Sequence, residues 1–301
     1  MQLGLVGLGK MGSQIGEVLL GNGHQLVVDT RHQLNTEPLV RLGADSFTNY
    51  NELAAKLADK PIVWLMIPHE HVPAEITKLV EVLPPGSLII DGGNSNYKST
   101  IEQANRLRDK DINLVDVGVS GGVRGKEQGF SLMVGGDTAS VKTITPLLDA
   151  LAGKQGGWHY FGGSGAGHFV KMVHNGVEYG LMQSFAEGYQ ILKFSPFNLD
   201  LAEIASVWQK GSINQSFLNG LILDMLKNDS EFTAVEGRVS ESGEARWTLE
   251  AAAEANLPAP AIKAALDIRL KSQTGQTSWA TKFLAQLRNE FGGHNVNPKQ
   301  D

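Results

Sequence analysis

Five short apolar runs punctuate the first half of the chain: LGLVGLG at 3–9, QLVVD at 25–29, IVWLMIP at 62–68, SLIIDGG at 87–93 and NLVDVGV at 113–119. Each is aliphatic or β-branched and bounded by turn-forming residues, which predicts buried strands. Between them, 10–21, 51–59, 71–82 and 97–109 repeat their apolar positions at helical spacing. Strands apolar on both faces, alternating with helices, predict a parallel sheet covered on both sides. SLMVGG at 131–136 and WHYFG at 158–162 extend the strand pattern, with a helix expected over 138–152. After 162 the pattern changes. GGSGAGH at 162–168 reads as a glycine-rich hinge, and beyond it only helical periodicity is found, near 168–194, 199–210, 212–227, 247–256, 260–273 and 277–291. The expected fold is α/β: a Rossmann-type doubly wound parallel sheet over 1–162, then an all-helical domain over 163–301 for substrate binding and oligomerisation.

Composition narrows the function classes. A chain of 301 residues, 42% hydrophobic and 19% charged, suits a globular protein of two domains. The formal charge of −6 argues against a broad nucleic-acid-binding surface. Without cysteine there are no disulfides, thiolate metal sites or cysteine nucleophiles. No basic n-region opens the chain and no window is long and apolar enough to span a bilayer, so a cytoplasmic protein is expected.

Gly7-Leu8-Gly9-Lys10-Met11-Gly12 is a GxGxxG that follows a strand and opens a helix, as dinucleotide binding requires. Asp29 closes the second strand and would accept hydrogen bonds from the ribose hydroxyls while repelling a 2′-phosphate. NAD is therefore the expected cofactor. Arg31, next to Thr30, keeps NADP open because a guanidinium pairs with a 2′-phosphate. Met66, Ile67 and Asn94 complete the expected cofactor contacts.

Three stretches carry candidate substrate chemistry. DGGNSN at 91–96 follows a strand end and presents Asn94; alone it is equally a turn. DVGVSGGVRGKEQG at 116–129 presents Ser120, Gly121 and Gly122, a hydroxyl with closely approachable backbone N–H groups. In KMVHNGVEYG at 171–180, Lys171, His174, Asn175, Glu178 and Tyr179 share one helical face, and spacing alone does not separate a solvated face from a site wall.

Together GLGKMG, DGGNSN, GVSGG, SLMVGG and KMVHNGVEYG resemble 6-phosphogluconate dehydrogenase, over nearly the whole chain. The first and third motifs are shared with other β-hydroxyacid dehydrogenases; Asn94 and the Lys-x-x-His-Asn-x-x-Glu-Tyr pattern are more specific. The resemblance implies NAD(P)-dependent oxidation of 6-phosphogluconate at C3 and decarboxylation to ribulose 5-phosphate, the pentose phosphate reaction, without a metal. It casts Lys171 as general base and Glu178 as general acid. Asn94, Ser120, Gly121, Gly122, His174 and Asn175 would orient the sugar acid. Tyr179, Arg246, Arg269 and Arg288 would hold the phosphate. RNEFGGH at 288–294 resembles a family tail whose arginine and histidine come from a neighbouring subunit, making Arg288 and His294 intersubunit ligands in a homodimer or homotetramer. The chain is shorter than the better-known long form. The alternatives are a dehydrogenase of short hydroxy acids, such as 3-hydroxyisobutyrate or tartronate semialdehyde, and a non-catalytic NAD-binding sensor. The His69-Glu70-His71 cluster is expected at the lip of the nucleotide cleft rather than as a metal site.

Overall fold

A computed structural model describes residues 1–29 and 33–293, so the expected ligands Thr30, Arg31 and His294 lie outside the described residues. Two compact units divide at Met172/Val173. The first unit holds strands β1 (Gln2–Val6), β2 (Gln25–Asp29), β3 (Asp45–Phe47), β4 (Ile62–Leu65), β5 (Leu88–Asp91), β6 (Asn113–Ser120), β7 (Ser131–Gly136) and β8 (Gly157–Gly162). Its helices are α1 (Lys10–Gly21), α2 (Gln33–Arg41), α3 (Tyr50–Lys56), α4 (Val72–Val80), α5 (Tyr97–Arg108), α6 (Gly125–Gln128) and α7 (Thr138–Ala152). Helix α8 (Ala166–Lys193) begins in this unit and continues into the second, which adds α9 (Leu201–Trp208), α10 (Phe217–Asn228), α11 (Glu244–Glu254), α12 (Pro260–Gln273) and α13 (Trp279–Gly292).

The strands form one sheet in the order β3-β2-β1-β4-β5-β6-β7-β8. Continuous apolar runs such as Ile62-Val63-Trp64-Leu65 are buried along their whole length, because helices cover both faces. Each large aliphatic side chain buried this way contributes about 1.5–3 kcal/mol. The parallel expectation needs one correction: β7 runs antiparallel to β6, with Ser120 opposite Ser131. Residues 121–130 supply only a short helical turn, too little chain for the long crossover a parallel pair demands.

The doubly wound order creates a switch point between β1 and β4, whose neighbours lie on opposite sides. Strand β3 and helix α2 had no expectation attached. The strand is three residues long, and α2 carries an internal Pro38 and few apolar residues. The helix expected from 212 starts instead at Phe217, where the Ser216 side chain accepts from the Asn219 backbone N–H and caps it. In the second unit, Met182, Ala186 and Tyr189 of α8 pack with Leu221, Ile222 and Met225 of α10 and Phe283, Leu284 and Leu287 of α13.

Candidate active site

The GxGxxG loop sits at the switch point. Val6 pairs in register with Leu65, so Gly7 lies beside Met66 and Ile67. Gly7 has φ +92°, and a Cβ there would stand 2.4 Å from the Met66 carbonyl oxygen, so only glycine makes this turn. Among the described residues nothing approaches a Cβ built on Gly9 and no side chain caps the start of α1, an arrangement that could seat an anion at the helix N-terminus. Leu8 is buried, and its carbonyl accepts from the Ser13 hydroxyl and the Asn35 amide, holding the loop. Lys10 is exposed and Met11 half-buried at the mouth of α1. Asp29 ends β2 at 4% exposure. An open helix N-terminus, a glycine turn and an acidic strand end together fit a dinucleotide.

Farther along the sheet, Asp91 at the end of β5 pairs with Asp116, and β6 runs on past it to Ser120. Asp91 Oδ1 accepts from the Gly93 N–H at 3.0 Å, which tightens the turn and leaves Asn94 exposed. Asn96 caps α5 by accepting from the Lys98 N–H. Ser120 closes β6, and Gly121 and Gly122 follow half-buried. Asp116 is fully buried, and its two oxygens accept from the N–H groups of Gly165 at 2.8 Å and His168 at 2.9 Å. A strand carboxylate thus caps the first turn of α8, where an anion also meets the positive end of the helix. The His168 ring bonds Thr100 at 2.7 Å, tying the same turn to α5. Lys171 follows one turn later and lies against Gly118: a Cβ on that glycine would be 2.3 Å from Lys171 Cβ. Lys171 is 6% exposed.

The polar face of α8 is not a solvated face. Lys171, Asn175 and Tyr179 are buried and His174 and Glu178 half-buried, whereas Val177 and Leu181 stand exposed. In the second unit Asn175 Nδ2 donates to Glu244 Oε1 at 3.1 Å, and Asn175 Oδ1 meets His174 Nδ1 at 3.0 Å. The Arg269 guanidinium lies over the Tyr179 ring, 3.3 Å from its centroid. Arg269 is 2% exposed; its Nη2 reaches only Met182 Sδ at 3.6 Å and its Nη1 has no hydrogen-bond partner. Burial pushes its pKa down to about 10, partly opposed by Tyr179 and lowered further by Arg288. Arg288 is buried beside it and lowered by the same desolvation; its Nη1 donates to Ser240 Oγ at 2.7 Å. Among the described residues neither arginine has a carboxylate within ion-pair distance. Two buried cations next to each other, one with an orphaned donor, could hold an anion.

Arg288, expected to serve a neighbouring subunit, is buried on α13 of this chain, within the field of Arg269 and Tyr179. Arg246 is half-exposed and bound to Glu241 at 2.6 Å, so its charge is already engaged. Sequence reasoning missed Ser240, Glu241, Ser242 and Glu244. Ser242 N–H meets the Tyr179 hydroxyl at 3.4 Å, and Glu241 also feels Arg269. The polar run SESGE at 240–244, just before Arg246, was the available signal.

Comparison with known proteins agrees with this geometry. The profile described as the NAD binding domain of 6-phosphogluconate dehydrogenase matches residues 2–162, and that of the 6-phosphogluconate dehydrogenase C-terminal domain matches 167–299. Bacillus subtilis YqeC, provisionally named a 6-phosphogluconate dehydrogenase, is 38% identical over 99% of this chain and its own full length. A Haloferax volcanii protein, the NAD(+)-dependent decarboxylating 6-phosphogluconate dehydrogenase, is 34% identical over the full length of both. Plasmodium falciparum 6-phosphogluconate dehydrogenase, solved alone, with NADP+ and with 6-phosphogluconate, superposes with a TM-score of 0.81 at 28% identity, over all of this chain and 67% of that one. The first unit carries an NAD-binding domain, and the chain belongs to the 6-phosphogluconate dehydrogenase family.

Proposed function

We propose that the protein catalyses the oxidative decarboxylation of 6-phospho-D-gluconate to D-ribulose 5-phosphate and CO₂, with NAD preferred over NADP. The observation that carries this reading is the buried Arg269–Arg288 pair, which makes no ion pair with a carboxylate among the described residues; Glu178 and Glu244 act on it only through their fields. A short hydroxy acid offers a single carboxylate, which the reacting end of the molecule also needs; a phosphate monoester adds a separate dianion for the arginines, with Tyr179 beside it. Residues 1–162 are taken as the dinucleotide domain and 163–301 as the substrate domain.

When bound, NAD accepts the hydride lost from C3. Lys171, as the neutral amine, takes the C3 hydroxyl proton as the carbonyl forms. An ordinary lysine, with a pKa of about 10.4, is a poor base at neutral pH, so this step requires the neutral amine. Cleavage of C1–C2 then releases CO₂ and sends the bonding electrons to the C3 carbonyl. Lys171 returns its proton to that oxygen, giving an enediol. Glu178, two turns along the same helix, protonates C1 of the enediol while Lys171 takes back the proton from the C2 hydroxyl, and ribulose 5-phosphate results. Asn94, Ser120 with Gly121 and Gly122, His174 and Asn175 orient the sugar acid; Arg246 stands at the edge of the phosphate cluster. His294 is proposed as a further substrate ligand.

The test is an assay of purified enzyme with 6-phosphogluconate and either cofactor, following the reduced cofactor and CO₂. Turnover of a three- or four-carbon hydroxy acid, with none of 6-phosphogluconate, would overturn the reading.

A further inference from the structure

Glu244 is a buried carboxylate to which the proposed chemistry gives no task. It opens α11 at 2% exposure, after a Gly243 that supplies no side-chain cap. Its Oε1 accepts from Asn175 Nδ2, while its Oε2 is buried with no hydrogen-bond partner among the described residues. Close packing holds it there. A Cβ on Gly176 would stand 2.9 Å from the Thr248 side chain, so α8 and α11 touch at this level, and Thr248 Oγ1 donates to the Glu244 carbonyl at 2.8 Å. Removing a carboxylate from water is costly, and an unsatisfied oxygen adds to that cost. The first turn of α11 and the attraction of Arg288 offset part of it. A glutamine would keep the contact to Asn175 without burying a charge.

What a glutamine cannot do is fix a direction. An ionised carboxylate only accepts hydrogen bonds, so Asn175 must turn its NH₂ toward Glu244. Its carbonyl oxygen then faces the other way, and there it meets His174 Nδ1 at 3.0 Å. An oxygen facing that nitrogen requires Nδ1 to carry the proton. In a neutral imidazole the proton on Nδ1 leaves Nε2 as an acceptor. A glutamine at 244 could present either end of its amide, and the order would be lost along both links.

We propose that Glu244 is a positioning residue: acting through the Asn175 amide, it holds neutral His174 in the Nδ1–H form, so that Nε2 accepts a hydrogen bond from a substrate hydroxyl. The substrate half rests on the sugar-acid reading above. The tautomer half does not, since it concerns the free enzyme.

The experiment uses full-length protein labelled with ¹⁵N-histidine. Two-bond ¹H–¹⁵N correlation spectra distinguish the tautomers, and the spectrum of His174→Gln identifies the His174 signals among the eight histidines. Wild-type enzyme is expected to show His174 as Nδ1–H. Glu244→Gln, which keeps the volume, should populate the Nε2–H form and raise the KM for 6-phosphogluconate about tenfold, the loss falling on KM rather than kcat. Glu244→Ala should do the same; if it fails to fold, the glutamine variant still decides. An Nε2–H ring in the wild type, or an unchanged Nδ1–H ring in the glutamine variant, would overturn the proposal. Absence of 6-phosphogluconate turnover would instead remove the functional reading and leave the tautomer result standing.

Discussion

Arg269 shows how a single residue trades stability for binding. Its guanidinium is still cationic near neutral pH, since burial lowers it only to about 10, and no described carboxylate lies within ion-pair distance, although Glu178 acts on it through its field. Stacking on Tyr179 returns part of the cost. Arg269→Leu should therefore melt no lower than wild type in scanning calorimetry, while its KM for 6-phosphogluconate rises roughly 10–100-fold, as expected for a lost charge-assisted hydrogen bond. Inorganic phosphate should raise the wild-type Tm and leave that of the variant nearly unmoved. A large fall in Tm for Arg269→Leu would mean the arginine serves the fold. Lys171→Met should abolish turnover yet bind NAD with unchanged affinity in a fluorescence titration; residual activity would reject the lysine as base. The sequence made Lys171 and Arg269 visible through motif and charge. It did not reveal Glu244, whose importance comes from a neighbour 69 residues away in the chain.

At the level of elements, the first turn of α8 is seated by strand β6. Asp116 caps it, and Gly118 makes room for Lys171. Gly118→Ala should push the helix off the strand and cost about 1–3 kcal/mol in urea unfolding, as overpacking generally does. Its kcat should fall much further than its affinity for NAD; an unchanged kcat would show that Lys171 is not placed by this contact. Strand identity was legible here because NLVDVGV is apolar on both faces. The direction of β7 was not, since periodicity carries no sign; it depends on how little chain joins it to β6. The face of α8 was legible as a geometric stripe, but not as buried, because His, Asn and Glu have the same spacing whether they meet water or protein.

For the molecule as a whole, surface ion pairs tie stability to pH. A side-chain hydrogen bond from Lys56, followed by those from Thr48, lowers Glu52 from 4.5 to about 2. Asp45 is lowered by the Ser46 N–H and then by Lys56. At Glu241, burial pushes upward, but Arg246 and the Gly243 N–H outweigh it, and the net shift is down. Folded values below unfolded ones give stabilisation that is complete above the unfolded pKa and lost as pH falls through the folded one. Thermal stability should therefore decline between about pH 4.5 and 2. Glu52→Gln should make that decline shallower, and an identical profile would show the surface pair to be idle. Ile191, Phe194, Phe197, Val207 and Ile213 of the second unit stand largely exposed. We propose that exposed apolar side chains of this set meet a second copy of the chain. Ile191→Asp with Phe194→Asp should lower the mass measured by light scattering; an unchanged mass would exclude this patch. No described helix is long and apolar enough to cross a membrane.

Because Lys171, His174, Asn175, Glu178 and Tyr179 all ride on the unbroken helix α8, their relative phase is set by the count of residues between them. One residue inserted after Asn175 would turn Glu178 and Tyr179 by about 100° and advance them about 1.5 Å, carrying both away from the Lys171 side. Insertions and deletions, which loops absorb readily, are closed to this stretch. Over these nine positions the protein can diverge only by exchanging one side chain for another, never by changing length.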